Sequence, residues 1–129
     1  MAMKFREPNM TRWRGVRPGH NGTQVTWRGD ATAALPVAYT VTPLKTLYLV
    51  ETEIEITTAV VSNALLRWRT GAVTVRFFGY IFLMTAAGVM SPYQCTFWPP
   101  LEIPSGDTIQ LVVSGAGSTA SAEIHGWEE

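Results

Sequence analysis

Apolar and polar residues alternate in several short stretches of the chain, which is the period of a half-buried β-strand. In "PPLEIPSGDTIQLVVSGAG", Leu101 and Ile103 precede a Pro-Ser-Gly-Asp corner, and Ile109, Leu111 and Val113 follow it. Proline presets the first corner of a turn, and glycine accepts the left-handed backbone that lets the chain reverse. This stretch therefore predicts two strands joined by a tight turn.

The stretch "LYLVETEIEIT" predicts a strand that carries a row of carboxylates. Glu51, Glu53 and Glu55 alternate with apolar residues. Because buried unpaired carboxylates are costly, we expect the glutamates to face solvent or a basic partner, with solvent the favoured alternative. Leu47 and Leu49 share the phase of the glutamates, so either a β-bulge shifts the register or something covers that end of the strand.

The most apolar stretch, "VTVRFFGYIFLM", is apolar on both faces when read as a strand. Its β-branched and aromatic content favours a strand over a helix. A strand of this kind lies between two packed layers or in a subunit interface. We expect Trp68 and Phe77 to be core or interface residues. The residues predicted to form an oligomer interface are Leu47, Leu49, Phe78, Tyr80 and Phe82.

Residues 1–36 show neither strand nor helix period and are rich in Arg, Gly, Pro and Asn. They predict an extended N-terminal arm, the alternative being a disordered tail or a loop folded back on its own domain. Residues 37–129 contain short strand patterns separated by turn signals and no clear amphipathic helix, which predicts an all-β antiparallel sandwich or a barrel.

The arm has its own charge. Residues 1–30 hold six basic and two acidic residues, a balance of +4, whereas the whole chain has a net charge of zero. Tryptophan beside arginine is typical of protein-interface anchors and also suits single-stranded nucleic acid. The modest charge favours a protein partner, so no nucleic-acid partner is expected. The predicted partner-binding residues are Arg12, Trp13, Arg14, Arg17, Trp27 and Arg28.

Composition indicates one domain of 129 residues with much uncharged surface. Charged residues make up 16% of the chain and hydrophobic residues 47%, against about 25% charged in an ordinary soluble protein. Part of that surface is therefore expected to be buried against other chains. The lone Cys95 excludes a disulfide framework within the chain. With neither a signal-peptide pattern nor an apolar membrane span, we expect a soluble protein made in the cytoplasm, with no membrane partner.

Candidate catalytic residues are few. His20 and His125 are the two histidines, so Cys95 with His125 is the one conceivable cysteine–histidine pair. The favoured interpretation is a structural cysteine and a surface histidine. Glu123 and His125 could share a metal ion, but no third ligand is nearby in the sequence. We predict a non-enzymatic protein without a cofactor and keep a small hydrolase as a remote alternative.

Three stretches, "VAYTVTPLKTLYLVETEIEI", "RWRTGAVTVRFFGY" and "PPLEIPSGDTIQLVVSGAGSTASAEIHGWEE", resemble the small jelly-roll virion proteins of tailed bacteriophages. The resemblance spans about residues 37–129 and lies in strands and corners. It implies a jelly-roll-like β-sandwich in a head decoration (cement) protein or a fibre or spike module, commonly trimeric, with an arm that reaches a neighbouring subunit or the capsid shell. It assigns no role to individual residues.

Two functions follow as hypotheses. The first is a decoration protein on the capsid exterior, synthesised in the host cytoplasm, that forms a homo-oligomer, expected to be a trimer, and binds the major capsid protein. The second is a receptor- or glycan-binding tail module, in which exposed aromatic residues such as Tyr93, Trp98 or Trp127 would stack on sugars.

Overall fold

The computed structural model describes residues 22–58, 61–83 and 92–129, without the side chains of residues 82 and 83. In these ranges the chain forms eight β-strands: β1 (Thr23–Thr32), β2 (Val37–Thr40), β3 (Leu47–Ile56), β4 (Ser62–Thr70), β5 (Val73–Leu83), β6 (Tyr93–Ile103), β7 (Thr108–Ser114) and β8 (Thr119–Glu128). Within the same ranges, no helix is long and apolar enough to cross a membrane.

The strands form two antiparallel four-stranded sheets. Sheet A has the order β1-β8-β3-β6, and sheet B has the order β2-β7-β4-β5. Four pairings are nested along the chain: β4 with β5, β3 with β6, β2 with β7 and β1 with β8. One long hairpin, rolled up so that its strand pairs alternate between two sheets, gives this pattern, which is the eight-stranded jelly roll. The prediction of an all-β, jelly-roll-like antiparallel sandwich is confirmed.

The core lies between the two sheets because alternate residues of each strand point inward. Sheet A contributes buried aliphatic side chains from β3 and β8, and sheet B contributes them from β4 and β7. The largest fully buried aliphatic side chains are Leu47, Leu49, Ile54, Leu66, Ile103, Ile109, Leu111, Ile124 and Val41.

The Pro-Ser-Gly-Asp corner joins β6 to β7, as predicted. Gly106 has a φ of +84°, and the Asp107 N–H donates to the Pro104 carbonyl at 3.2 Å. The Asp107 carboxylate is buried, and its Oδ2 accepts hydrogen bonds from Trp68 Nε1 and Thr70 Oγ1, both at 2.8 Å. The corner is therefore fixed to β4 as well as to its own turn.

A β-bulge at Val50 decides the orientation of β3. Leu49 pairs with Gly126 of β8, and the next paired residue is Glu51, which lies opposite His125. The bulge places Leu47 and Leu49 inward, while the glutamates that follow point outward. Of the two alternatives left open by the sequence, the register shift is the one present.

Strand β5 carries two bulges, since the register shifts between Leu66 and Arg67 and again between Trp68 and Arg69 of its partner β4. Phe78 is the unpaired residue at the first shift, and it points inward with 4% of its surface exposed. Phe77, beside it, points outward and is 55% exposed. Before this bulge, the apolar side chains of β5 point outward and are exposed. After it, Phe78 and Ile81 point into the core.

The prediction that an extended arm runs to residue 36 is wrong for its last part. Thr23–Thr32 is β1, an edge strand of sheet A that pairs with β8 over its whole length. Leu35 then closes a bridge to Thr32. Ten successive pairs with β8 give β1 the backbone hydrogen bonds that an extended arm would lack. Residues 1–21 lie outside the described residues.

Candidate interaction surface

Strand β5 is one edge of sheet B, strand β6 is one edge of sheet A, and the two lie on the same side of the sandwich. Aromatic contacts connect the two strands across the gap between the sheets. The Phe78 ring packs edge-on against Phe97 with 5.4 Å between centroids, and the Arg76 guanidinium lies 5.3 Å from the centre of the Phe97 ring. A Cβ built on Gly79 would lie 3.0 Å from the Tyr93 ring. We call this region the β5/β6 side.

The β5/β6 side carries most of the exposed large apolar residues in the described part of the chain. They are Val73, Val75, Phe77 and Tyr80 on β5, and Tyr93 and Trp98 on β6; the others, Leu35, Leu44 and Val61, lie outside the strands. Both edge strands have 11 residues, and among the eight described strands each pairs with one neighbour only. A long apolar edge strand is a template for contact with another chain.

Local pairing explains why Trp98 is exposed. Thr96 of β6 pairs with Glu51, but the next paired residue is Leu101, which lies opposite Leu49. The four residues between them include Pro99 and Pro100, which have no N–H to donate to a ladder. The chain bulges here, and Trp98 is left 55% exposed.

Three of the five predicted oligomer-interface residues are buried inside the protomer. Leu47 and Leu49 have no exposed surface, and Phe78 is packed against Phe97. That prediction is wrong for these residues, because the bulges in β3 and β5 turn them toward the core. Tyr80 is exposed, as an interface residue must be. The side chain of Phe82 lies outside the described residues.

The predicted arm residues Arg12, Trp13, Arg14 and Arg17 also lie outside the described residues. Trp27 points inward from β1, is half-buried against the core and has its ring 6.0 Å from that of Tyr39. Its ring therefore packs within its own sandwich, and the prediction that it anchors a partner through a free arm is wrong.

Arg28 is exposed on the outer face of sheet A, but its guanidinium is held within the chain. Nη1 lies 2.9 Å from Glu123 Oε2, and Nη2 donates to Ser121 Oγ at 3.0 Å. Nε lies 3.6 Å from Asp30 Oδ1. A partner that used Arg28 would have to compete with these contacts.

The glutamates of β3 lie on the same outer face. Glu51 lies opposite His125, and Glu53 lies opposite Glu123, so that two carboxylates are cross-strand neighbours. Within the described ranges no arginine or lysine forms an ion pair with Glu51, Glu53 or Glu55. The prediction that the carboxylate row faces away from the core is confirmed.

The candidate catalytic pair is not assembled. Cys95 lies opposite Thr52, whose side chain is buried, whereas His125 lies opposite the outward-facing Glu51. Cys95 and His125 therefore project from opposite faces of sheet A. His125 Nε2 is 3.4 Å from Glu123 Oε1, and no group of three His, Cys, Asp or Glu residues in the described ranges is arranged to hold a metal ion.

Trp127 points outward from β8 but is only 1% exposed. Its ring stacks on Tyr48 at 5.1 Å between centroids, and its Nε1 donates to Glu129 Oε2 at 2.8 Å. The proposal that this ring stacks on a sugar is wrong, because neither face is accessible. Tyr93 and Trp98 are the exposed members of that group of three.

The chain matches no protein-family model, and no curated protein is significantly similar to it.

Proposed function

We propose that this protein is a non-enzymatic virion structural protein of the decoration (cement) type, which self-associates through its β5/β6 side and stabilises a capsid shell. The observation that carries the proposal is the concentration of exposed apolar side chains on two long edge strands. Jelly rolls are recurrent in viral capsid proteins, which agrees with the proposal at the level of fold.

The β5/β6 side suits contact with another copy of this chain. Phe77 and Trp98 each leave 55% of their surface in water. Covering apolar surface gains roughly 25 cal/mol for each Å² removed from water. The trimer and the capsid partner are expectations from the resemblance, and the self-association is argued from this surface.

Sedimentation of purified protein tests the first half of the proposal. A 14.2 kDa chain should sediment as an oligomer at micromolar concentration, and Phe77→Ser combined with Tyr80→Ser should shift it toward monomer. Leu35→Ser is the matched control, because it removes a comparably exposed apolar side chain away from the β5/β6 side. A wild-type monomer would contradict self-association.

Addition to expanded, undecorated capsids tests the second half. The wild-type protein should bind and raise the temperature at which the shells disassemble. Self-association without capsid binding would leave the oligomer in place and reject the decoration role.

Glycan binding is the second candidate, supported by the exposure of Tyr93 and Trp98 on neighbouring parts of β6. Aromatic faces of this kind stack on sugar rings. A glycan panel read by tryptophan fluorescence should then give a saturable response that Trp98→Ala removes. No response from any glycan would reject this candidate.

A further inference from the structure

A cluster of two arginines and one glutamine occupies the outer face of sheet B. Arg67 and Arg69 alternate on β4, and Gln110 of β7 lies directly opposite Arg67. Gln110 Oε1 accepts three hydrogen bonds: from Arg67 Nε at 3.0 Å, from Arg67 Nη2 at 2.8 Å and from Arg69 Nη1 at 3.2 Å. Both guanidiniums thus converge on a single neutral oxygen.

No carboxylate of the described residues neutralises the cluster. In residues 22–58, 61–83 and 92–129, no carboxylate forms an ion pair with Arg67 or Arg69. Burial lowers the pKa of the Arg67 guanidinium, and the charge of Arg69 lowers it further. Two like charges that are close together and partly removed from water repel each other, and an amide dipole offsets that repulsion only in part.

One donor of the cluster has no acceptor in the described part of the chain. Arg69 Nε is buried and has no acceptor among the described residues, although Nη2 of the same group donates to the Ala72 carbonyl at 2.8 Å. A buried N–H without an acceptor destabilises the fold, because it has lost its hydrogen bond to water and gained none in return. The remaining contact of Arg67, from Nη1 to Thr74 Oγ1, is long at 3.3 Å.

We propose that Arg67, Arg69 and Gln110 form a binding site for a carboxylate, supplied by an acidic peptide segment of a partner protein. The Nε and Nη2 edge of arginine grips a carboxylate through two parallel hydrogen bonds, and here that edge holds Gln110 Oε1. A carboxylate that binds here replaces the Gln110 amide oxygen and supplies a negative charge that offsets the repulsion between the two guanidiniums.

The surroundings select a carboxylate over a doubly charged oxyanion. Phe77 lies opposite Arg67 on β5 and is exposed, so one border of the site is apolar. The cost of leaving water rises steeply with charge, which disfavours sulfate or phosphate beside an aromatic ring. A glutamate or aspartate on an extended segment pairs with the arginines beside this apolar border. This inference stands on the cluster itself and does not depend on the decoration role.

Nitrogen-15 NMR at low ionic strength tests the site, because arginine Nε–H groups give separate signals. The probes are citrate, a capped tetraglutamate peptide and sulfate. We expect the peptide and citrate to shift the Arg67 and Arg69 signals saturably, with sulfate binding more weakly. Two other arginines serve as internal controls, and their signals should shift little. Arg28 lies on the outer face of sheet A, and Arg76 lies over the Phe97 ring.

Three variants sharpen the test. Arg67→Lys keeps the positive charge but loses the planar guanidinium that donates two parallel hydrogen bonds. It should weaken peptide binding about tenfold and leave the melting temperature unchanged. Gln110→Glu places a carboxylate in the site from within the chain, so it should abolish binding and raise the melting temperature. Ser114→Ala, at the exposed end of β7, should bind like the wild type.

Three outcomes would each contradict a different part of the proposal. Equal shifts of all four arginines would mean general electrostatic attraction and no site. Sulfate binding more tightly than either carboxylate would reject the carboxylate assignment. Citrate binding without peptide binding would assign the site to small carboxylates and reject the peptide.

Discussion

The Tyr39 hydroxyl donates a 2.5 Å hydrogen bond to Glu128 Oε2 and so joins β2 of sheet B to β8 of sheet A. The Thr42 N–H donates to the same oxygen at 3.1 Å. Burial alone would raise the pKa of Glu128, but the hydrogen bonds from Thr42 and Tyr39 and the charge of Lys45 outweigh it and hold the pKa below its ordinary value. A buried, ionised carboxylate thus connects the two layers at one end of the sandwich.

Tyr39→Phe should destabilise the fold by about 1–3 kcal/mol, because it removes one donor from a buried carboxylate. Urea denaturation followed by fluorescence measures the change. Tyr93→Phe is the control, since this ring is exposed and loss of its hydroxyl should change the free energy of unfolding by less than about 0.5 kcal/mol. Equal effects of the two substitutions would mean that the Tyr39–Glu128 bond does not connect the sheets.

The Glu128 carboxylate should make stability fall in acid. A carboxylate whose folded-state pKa lies below its unfolded value of 4.5 stabilises the fold above pH 4.5 and loses that contribution as the pH falls through the lower, folded value. Glu128→Gln should therefore be less stable than the wild type at pH 7, and the difference should shrink below pH 4.5. A difference that stays constant down to pH 2 would contradict this assignment.

Tyr39 should give a second, alkaline dependence. Its pKa is raised by burial and then by its hydrogen bond to Glu128 and the charge of that carboxylate. A group with a raised folded-state pKa stabilises the fold below its unfolded value of 10.0, and that contribution is lost as the pH rises above it. Tyr39→Phe should lose less stability between pH 9 and pH 11 than the wild type does.

Trp68→Ala should mainly reduce the stability of the monomer, whereas Phe77→Ala should mainly weaken self-association. Trp68 packs against the core and donates to the buried Asp107, so its truncation should cost about 3–5 kcal/mol of unfolding free energy. Phe77 is 55% exposed, so its truncation should change unfolding of the monomer little and weaken self-association. Thermal unfolding and sedimentation of both variants measure the two quantities. Loss of monomer stability in Phe77→Ala would contradict its outward orientation.

Gly126→Ala should prevent folding or reduce stability by several kcal/mol. A Cβ at Gly126 would overlap the Tyr48 carbonyl oxygen and lie 3.1 Å from the Leu49 Cα, so the β3–β8 ladder would have to separate. His125→Ala, one residue earlier on the half-exposed outer face, is the control. Circular dichroism and melting temperature give the readout, and a wild-type melting temperature for Gly126→Ala would show that the ladder adjusts.

Two N-terminal truncations should differ sharply. Removal of residues 2–21 leaves all eight described strands in the chain, so a sandwich should still form. Removal of residues 2–34 also deletes β1, which exposes β8 as a new edge and uncovers core residues. We expect the shorter protein to aggregate or unfold. A soluble, cooperatively folded chain after the longer deletion would show that β1 is dispensable.

The sequence by itself determined where most strands run and which way their polar residues face. The alternation in "ETEIEI" predicts outward glutamates, and Pro104 with Gly106 predicts the β6–β7 corner, because both signals act over a few residues. The sequence leaves two explanations for the leucines that share the phase of the glutamates, namely a β-bulge or a cover over that end of the strand. The local pattern does not distinguish them, and the structure contains the bulge at Val50.

Only the tertiary structure decided which apolar face is buried. Phe78 and Phe77 are equally apolar in sequence, and a bulge set by pairing with β4 turns the first inward and leaves the second exposed. The sequence pattern does not predict strand β1, because the inward-facing Gly29 and Ala31 give a weak apolar signal. Position 29 faces inward by strand alternation, and a residue without a side chain fits there because the Trp27 ring fills that space. The cluster of Arg67 and Gln110 joins residues 43 positions apart, because β4 and β7 become neighbours in sheet B, and no local sequence pattern predicts that contact.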